Sequence, residues 1–184
     1  MAKTILITGA SSGIGASTAK LFLSRGWNVG LIARREDKLA IIANDHGNSL
    51  CVKCDVCQEN QVKNAFQLMV DHFGAVDVLF NNAGIFTPQA RIDQIDINDW
   101  QKSIDVNLTG MFLAAREAFR HMTKSGGRII NNGSISAHTP REGSAPYTST
   151  KHAITGLTKT IALDGRDLNI CCGQIDIGNA HTEM

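Results

Sequence analysis

The chain has 184 residues, a one-domain length with room for a single buried core. Its 43% hydrophobic and 19% charged content is that of an ordinary soluble globular protein. With 18 Lys and Arg against 17 Asp and Glu, the formal net charge is +1, which gives no basis for a nucleic-acid or anionic-membrane partner.

The chain opens on a short strand pattern at 3–8 and passes directly into a glycine-rich turn, which excludes a signal-peptide reading of this segment. No stretch approaches the roughly 20 apolar residues that span a bilayer, and a cytoplasmic protein is expected. Further strands are predicted at 27–33, 49–54, 76–81, 127–133 and 169–175. Helices are predicted near 14–25, 36–45, 58–73, 99–123 and 148–165. In the third helix Val62, Ala65, Phe66, Met69, Val70 and Phe73 recur at helical spacing. In the long fourth one, Ile104, Leu108, Met111, Phe112, Ala115, Ala118, Phe119 and Met122 form one stripe, and Asn98 followed by Gln101 is read as its capped start.

This alternation implies a parallel sheet with helices on both faces. Right-handed crossovers favour a three-layer, doubly wound Rossmann-type α/β fold with strand order 3-2-1-4-5-6. Residues 1–184 are read as one domain. Pro88, Pro140 and Pro146 are placed in loops after the fourth and fifth strands, at the carboxyl edge where such sheets bind ligands.

Thr8-Gly9-Ala10-Ser11-Ser12-Gly13-Ile14-Gly15 joins the first strand to the first helix. Glycines there permit a tight turn and let backbone amides approach a pyrophosphate at a helix N-terminus. Three residues, not one, separate the first two glycines, so the turn differs from the usual G-x-G-x-x-G; its place after the first strand is what supports a dinucleotide site. The second strand ends Ala33-Arg34-Arg35, where an NAD site usually offers an acid to the ribose. Guanidinium groups suit a 2′-phosphate, so NADP(H) is favoured, with NAD(H) open. A solvated surface charge is the other reading of Arg34. Glu36 and Asp37 are read as first-turn acids of the next helix.

Cys51, Cys54 and Cys57 stand in a C-x-x-C-x-x-C run that resembles part of an iron–sulfur series. Residues three apart on a strand point to opposite faces, so Cys51 and Cys54 should diverge, and no metal site is assigned.

Tyr147, the one tyrosine in the chain, and Lys151 are four apart at a helix start and share a face. A nearby ammonium would favour the phenolate and lower the tyrosine pKa, yielding a proton donor or acceptor for hydride transfer. Ser134, at the end of the fifth strand, could hold the oxygen of a substrate; Ser136 is its rival, and a loop-capping serine is the bland alternative. His138 and Arg141 are weaker substrate-facing candidates. Asn107 sits inside a predicted helix, where Asn is a poor helix former; a solvent-facing position is the structural alternative.

Taken together, these residues resemble the short-chain dehydrogenase/reductase family over the whole chain. Thr8-Gly9-x-x-x-Gly13-x-Gly15 is similar to the family's cofactor turn, Asp55-Val56 to its adenine-contact pair, and Asn81-Asn82-Ala83-Gly84 to its sheet-stabilising and cofactor-contact motif. Asn107, Ser134, Tyr147 and Lys151 fall in the order of its catalytic four. The resemblance implies cofactor contacts from Gly9, Ser11, Ser12, Gly13, Ile14, Gly15, Arg34, Asp55, Val56, Asn82, Ala83, Gly84, Tyr147 and Lys151. It also implies a small carbonyl or alcohol substrate, a water-mediated relay between Asn107 and Lys151, and a homodimer or homotetramer when the C-terminal region is present. Gly178 and Thr182 match a P-G-x-x-x-T cofactor segment in which Ile177 replaces the proline. Family members usually continue into a substrate-covering loop, a helix and a seventh strand. The chain ends at Met184, so a missing seventh strand and impaired turnover are expected; a nucleotide-binding or interaction protein without turnover is the alternative function.

Overall fold

In the computed structural model, which describes residues 2–44 and 46–180, the six apolar runs pair as one parallel sheet. The strands are β1 Thr4–Thr8, β2 Asn28–Ala33, β3 Ser49–Lys53, β4 Val78–Asn81, β5 Gly127–Asn132 and β6 Ile170–Ile175. They lie in the order β3-β2-β1-β4-β5-β6, the order the alternation predicts. β1 is paired with β2 (Thr8 opposite Ile32) and with β4 (Ile7 opposite Phe80), so the direction of winding reverses between β1 and β4. The glycine turn leaves β1 at this switch point.

The connecting helices are α1 Gly13–Ser24, α2 Glu36–Ala43, α3 Glu59–Phe73, α4 Ile97–Ile104, α5 Met111–Met122 and α6 Ala145–Asp164. Because strand side chains alternate, the sheet supports two cores. Leu6, Ile32, Leu79 and Ile129 pack on one face with Phe66 and Met69 of α3 and Ala114, Ala118 and Met122 of α5. Ile5, Ile7, Val29 and Leu31 pack on the other with Ala19 and Leu23 of α1 and Leu39 and Ile42 of α2. Cys54 lies in the first core and Cys51 packs against the second, so the two diverge as their spacing predicts. Glu36 and Asp37 occupy the first turn of α2. Among the described residues no helix is long and apolar enough to cross a membrane.

Three local expectations are corrected. The helix expected over 99–123 is interrupted by a π-helical stretch, Asp105–Gly110, between α4 and α5. The cap is Asp96, not Asn98: the Asn98 backbone N–H donates to Oδ1 of Asp96 at 2.7 Å, and Asn98 is already helical. Pro146 belongs to the first turn of α6, which starts at Ala145 rather than 148. There its missing N–H has no intrahelical acceptor to lose, and its fixed φ suits the helix.

Candidate active site

Backbone geometry builds the first part of the site. Gly9 (φ +67°) and Gly13 (φ +51°) carry the turn through left-handed conformations. A Cβ at Gly15 would collide with the Gly9 carbonyl and the Asn82 amide, so α1 can lie this close to the turn only with glycine there. The end of β4 secures the turn from the other side. Thr8 Oγ1 accepts the backbone N–H groups of Asn82 and Ala83 at 2.9 and 3.0 Å, and Asn82 Nδ2 donates to the Thr8 carbonyl at 3.0 Å. The resulting cavity, about 290 Å³, is lined by Gly9, Ser11, Ser12, Gly13, Ile14, Arg34, Asp55, Val56, Asn82, Ala83 and Gly84. These residues are ones singled out in the sequence; Arg35, Cys54, Ile85, Val106 and Asn132, which also line the cavity, were not assigned to the cofactor, and Gly15 lies behind the lining as packing.

Arg35 is the residue that sequence reasoning left in the shadow of Arg34. Its Nη2 donates to Ser12 Oγ at 2.8 Å and to Ser11 Oγ at 3.1 Å, tying the end of β2 to the glycine turn. Arg34 is exposed on the same cavity wall.

A second cavity, about 310 Å³, shares Ile14, Asn82, Gly84, Ile85 and Asn132 with the first. Ser134, Tyr147, Lys151 and Gly178 line it together, with Phe86, Arg141, Ile177 and Asn179. The Phe86 ring lies against Tyr147 with centroids 4.2 Å apart. Ser134 and Ser136 both line this cavity, and Ser134 Oγ accepts the Ser136 N–H at 3.1 Å; of the two serines, Ser134 is the one whose hydroxyl acts on the Tyr147 phenol, lowering its pKa against the rise imposed by burial. His138 is exposed and pairs with Asp176. Thr182 lies outside the described residues.

Asn107 lines neither cavity. It is 0% exposed in the π-helical stretch, where its Oδ1 accepts the Ile85 N–H at 2.7 Å and its Nδ2 donates to the Ile85 carbonyl at 3.0 Å and to Ser103 Oγ at 3.2 Å. The solvent-facing alternative is thereby excluded. The side-chain amide is committed to the loop after β4.

The short chain dehydrogenase family model matches residues 3–184. The chain belongs to the short chain dehydrogenase family. It is 34% identical to a 3beta-hydroxysteroid dehydrogenase of Mediterraneibacter gnavus, covering 94% of this chain and 64% of that protein's length, so the chain spans less than two thirds of that relative. Its fold superposes with a TM-score of 0.94 on a 3-ketoacyl-(acyl-carrier-protein) reductase from Brucella melitensis complexed with NADH, at 29% identity over 98% of this chain and 77% of that one. It does so equally well on ElxO with NADP bound, at 34% identity over 100% and 76% of the two chains.

The electrostatics of this short chain dehydrogenase site depart from the sequence expectation at one point. Burial raises the Tyr147 phenol above its ordinary value, opposed by the hydrogen bond with Ser134 and the positive charge of Arg141. Lys151 does not offset that burial. Its Nζ lies 5.4 Å from the Tyr147 ring centroid and donates to the Asn132 carbonyl at 2.7 Å. Sharing a helix face brings the two side chains together without aiming the ammonium at the phenol oxygen. Lys151 is only 3% exposed, and burial lowers its pKa to about 8, with Asp176 opposing the fall.

A nicotinamide dinucleotide fits these residues on structural grounds. The glycine turn opens backbone toward the first cavity, and two arginines flank it. At the junction of the cavities, the buried Asn132 Oδ1 has no hydrogen-bond partner among the described residues, leaving an acceptor for a ligand donor.

Proposed function

We propose that the protein is an NADP(H)-preferring oxidoreductase that interconverts a small carbonyl compound and its alcohol, with Tyr147 as general acid/base. The observation that carries this reading is the meeting of Ser134, Tyr147 and Lys151 in a cavity continuous with the one at the glycine turn. When bound, the cofactor supplies or takes up the hydride.

The chain's own residues handle position and protons. Ser134 donates to the substrate oxygen, and the Tyr147 Oη proton passes to that oxygen as it gains negative charge. A phenol held protonated by burial is suited to donate in neutral solution, the direction of carbonyl reduction. Lys151 lies over the Tyr147 ring and offers its remaining N–H groups to a ribose. Asn107, through its two bonds to Ile85, keeps the loop after β4 in place beneath the site; since its side chain is committed there, any part in a relay falls to its backbone. Arg34 suits a 2′-phosphate because a guanidinium fork matches phosphate oxygens, while Arg35 is engaged with Ser11 and Ser12 of the glycine turn. Phe86 and Ile177 suit an apolar substrate body.

The test is NADPH oxidation with a panel of ketones, aldehydes and diketones, comparing the wild-type chain with Tyr147→Phe. Carbonyl-dependent oxidation that disappears in Tyr147→Phe, with NADPH binding retained, supports the reading. Turnover that survives the loss of the hydroxyl overturns it.

A further inference from the structure

We propose that Asp176, just beyond the end of β6, is a positioning residue for this reaction: its carboxylate fixes the backbone of Ser134 and ties it to the polar network around Gln174. The proposal rests on the assignment of Ser134, Tyr147 and Lys151 above.

The carboxylate is anchored on three sides. Oδ1 accepts the Ser134 backbone N–H at 3.0 Å and Gln174 Nε2 at 2.6 Å, while Oδ2 is 2.8 Å from His138 Nε2. Ser134 is therefore held by its backbone to a segment 42 residues further on. The neighbouring sequence accommodates this contact: a Cβ at Gly133 would drive into Asp176 Oδ1 and the Gln174 side chain. Backbone bonds from Gly133 N–H to the Ile175 carbonyl (2.9 Å) and from Ile135 N–H to the Ile177 carbonyl (3.3 Å) flank it, making a short zipper with Asp176 at its centre.

The anchor also reaches across the sheet. Gln174 Nε2 donates to Thr155 Oγ1 of α6 at 3.1 Å, and its Oε1 accepts from Thr158 Oγ1 at 3.3 Å. Thr158 in turn accepts from Asn131 Nδ2 at 2.9 Å, and Asn131 Oδ1 accepts from Asn81 at 3.2 Å beside the glycine turn. Ser134 is thus referenced through Asp176 to the framework that holds the cofactor cavity.

Charge adds a second role. The titratable groups around Asp176 are His138 from the loop after β5 and Lys151 from α6, with Tyr147 beyond Ser134. Burial pushes the Asp176 carboxyl up, but hydrogen bonds from His138, Gln174 and Ser134 together carry it below its ordinary value, so it is ionised throughout the neutral range. Its negative charge partly opposes the fall that burial imposes on the Lys151 pKa.

Two variants separate geometry from charge. Asp176→Asn keeps an oxygen acceptor for Ser134 and Gln174 but removes the charge. Asp176→Ala removes both. The measurements are NADPH oxidation with phenanthrenequinone as the carbonyl probe, NADPH affinity by fluorescence, and the titration of Lys151 in the cofactor-free protein by NMR of ¹³C-labelled lysine. Asp176→Asn should titrate Lys151 at a lower pH and shift the alkaline limb of kcat in the same direction. Asp176→Ala should in addition lower kcat roughly 10- to 100-fold through misplacement of Ser134, with NADPH affinity changed much less. A merely structural role predicts lower melting temperatures with the Lys151 titration and the kcat profile unmoved, and that result overturns the proposal. If Asp176→Ala does not fold, the titration in Asp176→Asn decides alone. Tyr147→Phe run alongside separates the two levels. Loss of turnover there with wild-type behaviour in both Asp176 variants sinks this inference only, whereas retained turnover in Tyr147→Phe sinks the functional reading and this inference with it.

Discussion

The two cavities share a wall at Asn82, Gly84 and Asn132, yet they are built from different materials. The cofactor side is mostly main chain: glycines in left-handed conformations, a close helix start, and arginines reaching in from the surface. The chemistry side is mostly buried polar side chain. Asn107 has three hydrogen bonds, and Lys151 has its one bond to a carbonyl in a site 3% exposed. An exposed arginine can be lost at the cost of its ligand contact alone. A buried amide that is lost leaves its partners unpaired as well. Affinity and chemistry should therefore fail separately when each side is damaged.

The strongest test of that separation is Tyr147→Phe. It removes one oxygen from the chemistry side and nothing from the cofactor side. Turnover is expected to drop about 10²- to 10⁴-fold, the range for a positioned acid/base, while the NADPH dissociation constant stays within a few-fold of wild type. A parallel loss of affinity would show that the two sides are not separable.

Lys151 tests the cost of burial directly. The unfolded chain keeps the lysine proton to its ordinary 10.5, whereas the folded chain releases it near 8. Between these values the unfolded state binds more protons, so this group makes stability rise with pH, by on the order of 3 kcal/mol. Below pH 8 it contributes no slope. Cys54, Cys57 and Cys172, each raised to about 11 by burial, act in the opposite sense above the ordinary thiol value of 9. The effect must be read as a difference between wild type and Lys151→Met, by chemical denaturation of the cofactor-free protein from pH 7 to pH 9. A rise present in wild type and absent in Lys151→Met is expected; identical slopes would show that Lys151 is not desolvated.

On the cofactor side, Arg34→Asp should weaken NADPH binding far more than NADH binding. Loss of a charge-assisted contact costs about 1.5–3 kcal/mol, tenfold or somewhat more. Isothermal titration with both cofactors measures the ratio. Arg35 gives the contrast: it bonds Ser11 and Ser12, so Arg35→Asp should loosen the turn and weaken both cofactors. An unchanged NADPH-to-NADH ratio in Arg34→Asp refutes the phosphate assignment.

The same division explains what could be read from the chain and what could not. Strands buried on both faces form continuous apolar runs, and the glycine turn has its meaning within eight consecutive residues, so the sheet order and the turn's side of the first cavity were legible, while Asp55, Val56 and Asn82 to Gly84 came from the family resemblance. Asn107 depended on Ile85, 22 residues away, to satisfy its amide inside a π-helical stretch, and no local spacing signals that partner. The aim of Lys151 was also illegible. Four-residue spacing places it beside Tyr147, but the Asn132 carbonyl, 19 residues upstream, determines where its ammonium points. Asp176 belongs to the same class, since its contact with Ser134 spans 42 positions. Polar groups whose partners are remote in sequence are the ones that had to be seen.

The smallest expected effect concerns the entry to the helical stretch that carries Asn107. Asp96 and Asn98 are both acceptable capping residues by type, and only geometry separates them. Asp96 has extended backbone (φ −65°, ψ 133°) and its carboxylate accepts the Asn98 N–H, whereas Asn98 lies within α4 with its side chain exposed. Asp96→Ala should therefore lose a cap worth about 1 kcal/mol, seen as a fall in melting temperature of roughly 2–4 °C for a chain of this size. Asn98→Ala replaces a poor helix former by the best one at an exposed position, so it should be neutral or stabilising by a few tenths of a kcal/mol. Differential scanning calorimetry of the two variants resolves the difference, because their predicted shifts differ in sign or nearly so. Turnover should follow neither change closely, since the two Asn107–Ile85 bonds lie about three turns further along and hold the loop after β4 independently of the cap. A melting temperature lowered by Asn98→Ala and untouched by Asp96→Ala would move the helix start to Asn98.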